Sequence, residues 1–175
     1  AAKLALEIRD IARRAGNGAV CTSGGVVCRP GIVTSVVETA EQLLDQRHLD
    51  PDTLAQMLQD AKDASARFAK EEKIDVSWER IWNIEPIPFH PDLIELCDQA
   101  ILETCGVSHR LPSGPLHDAA EVCRAGVPTI MLFVQSLRGI SHNKIEDTKE
   151  EHLALSVEAL DRLASKTIDW IVAQG

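Results

Sequence analysis

The chain has 175 residues, 45% of them apolar and 26% charged, which suits one large soluble domain or two small ones. A formal charge of −9 and only 3% aromatic residues, with no tyrosine, exclude the clustered basic charge and stacking surfaces that nucleic-acid partners require. No run reaches the roughly 18 apolar residues of a membrane span, and no charged-then-apolar leader opens the sequence. No membrane partner is therefore expected, and the reading is cytoplasmic.

Residues 2–15 read as a helix, with Leu4, Ile8, Ile11 and Ala15 on one face and Gly16 as its stop. Strands are expected over Ala19–Cys28 and Val33–Arg47, with Gly24-Gly25 and Pro30-Gly31 as turn signals. Asp50 is placed to cap a helix that begins at Pro51 and carries Leu54, Met57, Leu58, Ala61 and Phe68 on one stripe. Ile74, Val76 and Trp78 alternate with Asp75, Ser77 and Glu79, the period of a half-buried strand. The order helix, strand, strand, helix, strand is that of a ferredoxin-like α+β unit without its first strand, so residues 1–85 are expected to form one domain. An unpaired first helix suggests a natural chain that begins before Ala1.

Pro86, Pro88 and Pro91 interrupt any continuing element, which places a boundary there and a second domain over 86–175. Ile94, Cys97 and Ile101 mark a helix ending near Gly106, and Leu116–Ala125 a short helix stopped by Gly126. Val127–Val134 is an apolar run that fits a strand buried on both faces of an α/β sheet. The last helix, near 149–173, aligns Leu153, Val157, Leu160, Ala164, Ile168 and Ile171. The five cysteines form no C-x-x-C pair, so they read as reduced, mostly buried small hydrophobes rather than disulfide partners or a thiolate zinc cage.

His117 and His142 lie in loops beside the apolar run, where open α/β folds build their sites. A neutral imidazole can bind a metal or donate to a developing oxyanion. Asp118 and Glu146 are close enough in sequence to orient such rings. The plainer alternatives are a surface or capping histidine, and first-turn acids at Asp118 and Asp147 that answer a helix dipole.

The segment Ser113-Gly-Pro-Leu-His-Asp-Ala119, the run Gly126–Val134, and Gly139-Ile-Ser-His142 with Glu146 resemble the C-terminal signature of the N-carbamoyl-L-amino-acid hydrolases. That family includes β-alanine synthase and allantoate amidohydrolase, within the zinc aminoacylase and carboxypeptidase superfamily. Pro30-Gly31 followed by Leu44-Asp-Gln-Arg-His-Leu49 is similar to the family's lid motif, so the resemblance covers essentially the whole chain. It implies a ferredoxin-like lid that pairs two subunits, followed by the C-terminal part of an α/β metal-hydrolase domain. It implies that His142 is a metal ligand and that His117 assists the transition state. Gly114 falls in the loop around the substrate, and Arg47 matches the lid arginine that forks onto the substrate carboxylate, often across subunits. Without the resemblance, Arg47 reads as a surface arginine paired with Asp45 or Asp50.

The resemblance implies a parent enzyme that uses two divalent metals, zinc or manganese, to hydrolyse a C–N bond of an N-carbamoyl or ureido amino acid. An aminoacylase or dipeptidase specificity stays open. The family's lid asparagine falls on Thr34, its Ala-Gly before the motif histidine is Pro115-Leu116, and its other metal ligands and general-base glutamate precede the lid. These 175 residues alone are therefore expected to be inactive, to hold metal weakly or not at all, and to act as part of a homodimer. The rival reading is a non-catalytic dimerising fragment or a degenerate homologue.

Overall fold

Leu4, Ile8, Ile11 and Ala15 do form one face of a helix, α1 (Ala2–Ala15), and Ile8 and Ile11 are buried. The computed structural model describes residues 1–175, which divide into two compact units, Ala1–Pro86 and Ile87–Gly175. The architecture is α+β, with one small antiparallel sheet.

In the first unit, β1 (Val20–Arg29) pairs antiparallel with β2 (Thr39–Arg47), from Arg29 opposite Thr39 at the loop end to Val20 opposite Arg47 at the other. The register shifts between Ser23 and Gly25, where Gly24 is accommodated as a bulge. The connecting loop is closed by the Glu38 amide donating to the Arg29 carbonyl at 2.8 Å. Gly31 sits there at φ 67°, and a Cβ would lie 2.9 Å from the Cys28 carbonyl oxygen, so only glycine fits. Helix α2 (Pro51–Glu72) starts where Asp50 accepts from the Thr53 amide at 2.7 Å, with Pro51 in its first turn. Met57 and Ala61 of α2 are buried with Ile8 and Ile11, and Cys21 and Leu44 close the core from the sheet. Lys3, near the start of α1, pairs with Glu71 at 3.1 Å and with Glu72 near the end of α2. The two helices therefore run antiparallel.

The second unit packs α3 (Pro91–Cys105) against α5 (Glu150–Gln174) through Cys97, Ala100 and Leu163. His90 caps α3 with its Nδ1 accepting from the Asp92 amide, and Gly106 ends the helix at φ 73°. The short helix α4 (Asp118–Arg124) lies between them in sequence. No helix is long and apolar enough to cross a membrane.

Four expectations change. The second strand begins at Thr39, because residues 30–38 are occupied by the turn around Gly31. Neither 74–79 nor 127–134 forms a strand, and the sheet has two members. Periodicity and apolarity report which side chains seek cover, whereas a strand also needs a ladder of backbone partners, and 127–134 has one such bond, from the His90 amide to the Thr129 carbonyl at 3.2 Å. Trp78 instead donates its Nε1 proton to Ser65 Oγ on α2 at 2.9 Å, while Ile74 and Val76 stay exposed. The apolar stripe expected to organise the last helix also faces out: Leu153, Val157, Leu160, Ile168 and Ile171 are exposed, and the face that meets α3 carries Ala159 and Leu163. Finally, all five cysteines are free, but only Cys97 is buried, and Cys28 and Cys105 are exposed.

Met57 is 1% exposed at the centre of the first core. Met57→Ala should destabilise this unit by about 2–5 kcal/mol, the usual cost of truncating a buried methionine. Denaturant unfolding followed by circular dichroism measures it, and a loss below about 1 kcal/mol would mean that the core collapses around the gap.

Candidate functional site

The site residues divide between the two units. Thr34 and Arg47 belong to the first; Gly114, His117, Asp118, His142 and Glu146 belong to the second.

Within the first unit, Thr34 is exposed in the β1–β2 loop and Arg47 closes the far end of β2. Eight steps along the strand lead from Thr39 to Arg47, roughly 26 Å at ~3.3 Å per residue. Thr34 lies in the loop beyond the Thr39 end of that strand, and Arg47 lies at its other end. Arg47 donates from Nε to Asp45 Oδ2 at 2.7 Å, and Nη2 lies 2.7 Å from the same oxygen. The pairing with Asp45 weighed above is thus present. His48, the next residue, accepts from the Asp50 amide on Nδ1 at 3.0 Å, while its Nε2 is buried without a partner. The sequence signal for it is its place beside Arg47 in the same motif.

In the second unit, His117 occupies the N-cap position of α4 with extended backbone, and its carbonyl accepts from the Ala120 amide at 2.9 Å. Its half-buried ring makes no capping bond, unlike Asp50 on α2 or His90 on α3. The capping alternative is therefore not realised, and the imidazole remains available. Asp118 is exposed in the first turn of α4, where an acid answers the helix dipole, and makes no hydrogen bond to either histidine. Gly114 is exposed, and a Cβ there would meet nothing within 4 Å. Leu116, where the family pattern has glycine, is exposed too.

His142 adopts a left-handed backbone, φ 55°, which non-glycine residues hold only when something pins them. The pin is Glu146: its Oε2 accepts from the His142 amide at 2.7 Å. The turn is reinforced by the Glu146 amide donating to the Asn143 carbonyl at 2.9 Å and the Ile145 amide to Asn143 Oδ1 at 3.2 Å. Thr148 Oγ1 on the Gln135 carbonyl (2.6 Å) and the Leu137 amide on the Asp147 carbonyl (2.7 Å) tie the loop back to the end of the apolar run. Glu146 thus aims His142 through the backbone rather than by touching its ring, and the exposed imidazole points out of a fixed turn.

Nowhere in the chain do three or more His, Cys, Asp or Glu side chains gather so that they could hold a metal ion. The ligands present do not by themselves fit a catalytic metal, which takes three or more protein groups.

Residues 8–166 match the profile of peptidase family M20/M25/M40. The chain is similar to an allantoate amidohydrolase of Escherichia coli strain K12, 33% identical over 153 residues, covering 85% of this chain and 36% of that protein. It is similar to an N-carbamoyl-L-amino acid amidohydrolase of Geobacillus stearothermophilus, 29% identical over 178 residues, covering 100% of this chain and 41% of that protein. In three dimensions it resembles an amidase of the hydantoinase/carbamoylase family from Burkholderia multivorans, with a TM-score of 0.81 and 28% identity over 93% of this chain and 39% of that one. The chain therefore spans about two fifths of the length of the relatives it matches.

Removing the pin should release the turn. In Glu146→Ala, hydrogen exchange at the His142 amide should speed up by about tenfold, the worth of one hydrogen bond to a carboxylate at an exposed site, with α5 amides unaffected. Unchanged exchange at His142 would show that the left-handed residue is held by the Asn143 turn alone.

Proposed function

From the premise that this chain belongs to peptidase family M20/M25/M40, we propose that it forms the lid and the C-terminal part of the catalytic domain of an amidohydrolase acting on N-carbamoyl or ureido amino acids. The observation that carries this reading is the match along 85% of the chain, through both units, to a protein named for allantoate hydrolysis. The whole enzyme's activity belongs to a longer protein. Members of this family are generally metal-dependent. His142 is this chain's one ligand to such a centre, of zinc or manganese, and the remaining ligands come from outside these 175 residues.

His117 is the donor to the oxyanion that forms when the carbamoyl carbon becomes tetrahedral; its uncommitted ring is suited to that. Arg47 binds the substrate carboxylate, which takes over from Asp45 as the partner of the guanidinium. In this reading Arg47, at the end of β2 away from the β1–β2 loop, reaches the site of the partner subunit in a homodimer joined through the lids. Thr34 offers a hydroxyl where the family pattern has an amide, and the exposed Leu116 narrows the approach along the Gly114 loop. The small-molecule carboxylate substrate, the dimer and a cytoplasmic location belong to this one reading.

Two experiments on the whole protein test it. His142→Ala should lower metal content together with activity and recover part of the rate in excess metal. His117→Ala should keep its metal and lose ~10²–10³ in kcat, the usual cost of one oxyanion donor. Full metal and near-normal rates in both variants would sink both assignments. For the dimer, inactive Arg47→Ala and inactive His117→Ala proteins should, when dissociated and remixed, regain about a quarter of the wild-type rate, because half the dimers are mixed and each has one intact site. No recovery with mixed dimers present would place Arg47 in its own subunit's site, and a one-chain mass in light scattering would remove the dimer.

A further inference from the structure

A cluster outside the proposed site ties the segment leading to His117 onto α3. Glu95 and Asp98 lie three residues apart on α3, on one face of the helix. The Arg110 guanidinium bridges them: Nη2 is 2.7 Å from Glu95 Oε2 and 2.7 Å from Asp98 Oδ2, and Nε donates to Asp98 Oδ2 at 2.9 Å. Ser108 Oγ donates to the other Asp98 oxygen. Helix α3 is itself fixed on α5 by Cys97, Ala100 and Leu163, so the clamp stands on the core of the unit.

Between Arg110 and His117 the chain is stiff. Pro112 and Pro115 fix two φ angles and restrict Leu111 and Gly114 before them. Ser113 Oγ donates to the Pro115 carbonyl at 2.9 Å, closing the turn around Gly114. Beyond Leu116, the His117 carbonyl joins α4 through the Ala120 amide. A segment clamped at one end and stiffened along its length carries the position of the clamp to its other end.

We propose that Arg110, held between Glu95 and Asp98, is a positioning residue that fixes the 107–117 segment and thereby the placement of His117. The proposal rests on the role given to His117 above. The Asp98 carboxyl is held below its ordinary range, first by the Ser108 hydroxyl and then by Arg110. A lowered folded-state value means that the contribution is complete above the ordinary carboxylate range and is lost as pH falls through the lowered value. The clamp is thus closed throughout neutral pH. Without Arg110, the two carboxylates of α3 lose the cation they share.

The test compares wild type with Arg110→Gln, Arg110→Lys and Asp98→Asn by backbone NMR relaxation and His117 ring NMR on the full chain, and by steady-state kinetics on an N-carbamoyl amino acid in the whole protein. In Arg110→Gln and Asp98→Asn the backbone order parameters over 107–117 should fall from about 0.85 to below about 0.6, while those of residues 99–105 of α3 stay in the rigid range. Arg110→Lys, which keeps the charge and loses the fork, should fall between. The His117 ring signal should broaden or shift, and kcat should drop with KM little changed. Unchanged order parameters over 107–117 overturn the clamp; lowered ones with an unmoved ring and unchanged kcat overturn the positioning role. If wild type hydrolyses no N-carbamoyl amino acid, the functional reading fails, and the relaxation and ring data alone decide the clamp.

Discussion

The contact of Ala100 with Leu163, where α3 lies on α5, is the support for every site residue of the second unit. Ala100 is fully buried and has no side chain beyond Cβ, so the helices approach closely and few side chains complete the core. From that seam the order of the unit runs outward. Asp98 and Glu95 carry Arg110, Arg110 carries the proline-stiffened segment, and that segment ends at His117 on α4. The His142 turn is fastened to the end of the 127–134 run, whose Ile130 and Leu132 pack against the same seam.

Helices were legible in the sequence because their signals are local. The Asp50-Pro51 start, the Gly106 stop and the Ile8/Ile11 face all lie within a few residues of what they control, and all are found where the sequence puts them. Strands at 74–79 and 127–134 were not legible, because apolar alternation says nothing of whether a partner backbone is at hand. The stripe on α5 misled for a related reason. Leu153, Val157, Leu160, Ile168 and Ile171 are the most apolar face of that helix, but α3 meets the face with Ala159, where a small residue allows approach.

At the site, the residue types were readable and the contacts were not. His117 and His142 stand in loops at the places their motifs indicate. That Glu146 would reach the backbone amide of His142, and not its ring, depends on the left-handed turn at that residue, which no spacing rule supplies. The clamp on Asp98 was likewise invisible, since it joins residues ten to fifteen positions apart across a helix end. Its only sequence trace was a pair of acids three apart on α3 followed by an arginine.

The antiparallel course of α1 and α2 has an electrostatic consequence. Glu71 and Glu72 sit at the carboxyl end of α2, where the partial negative charge of the helix opposes acids. The amino end of α1, with its positive pole and Lys3, lies against them. The two macrodipoles therefore lie antiparallel side by side, which is an attractive arrangement, and an acidic terminus that would fray in an isolated helix becomes the complement of its neighbour. Because the charges are exposed, added salt weakens this junction before it touches the buried Ile8–Met57 core, so fraying under high ionic strength begins at the Lys3 end of the pair.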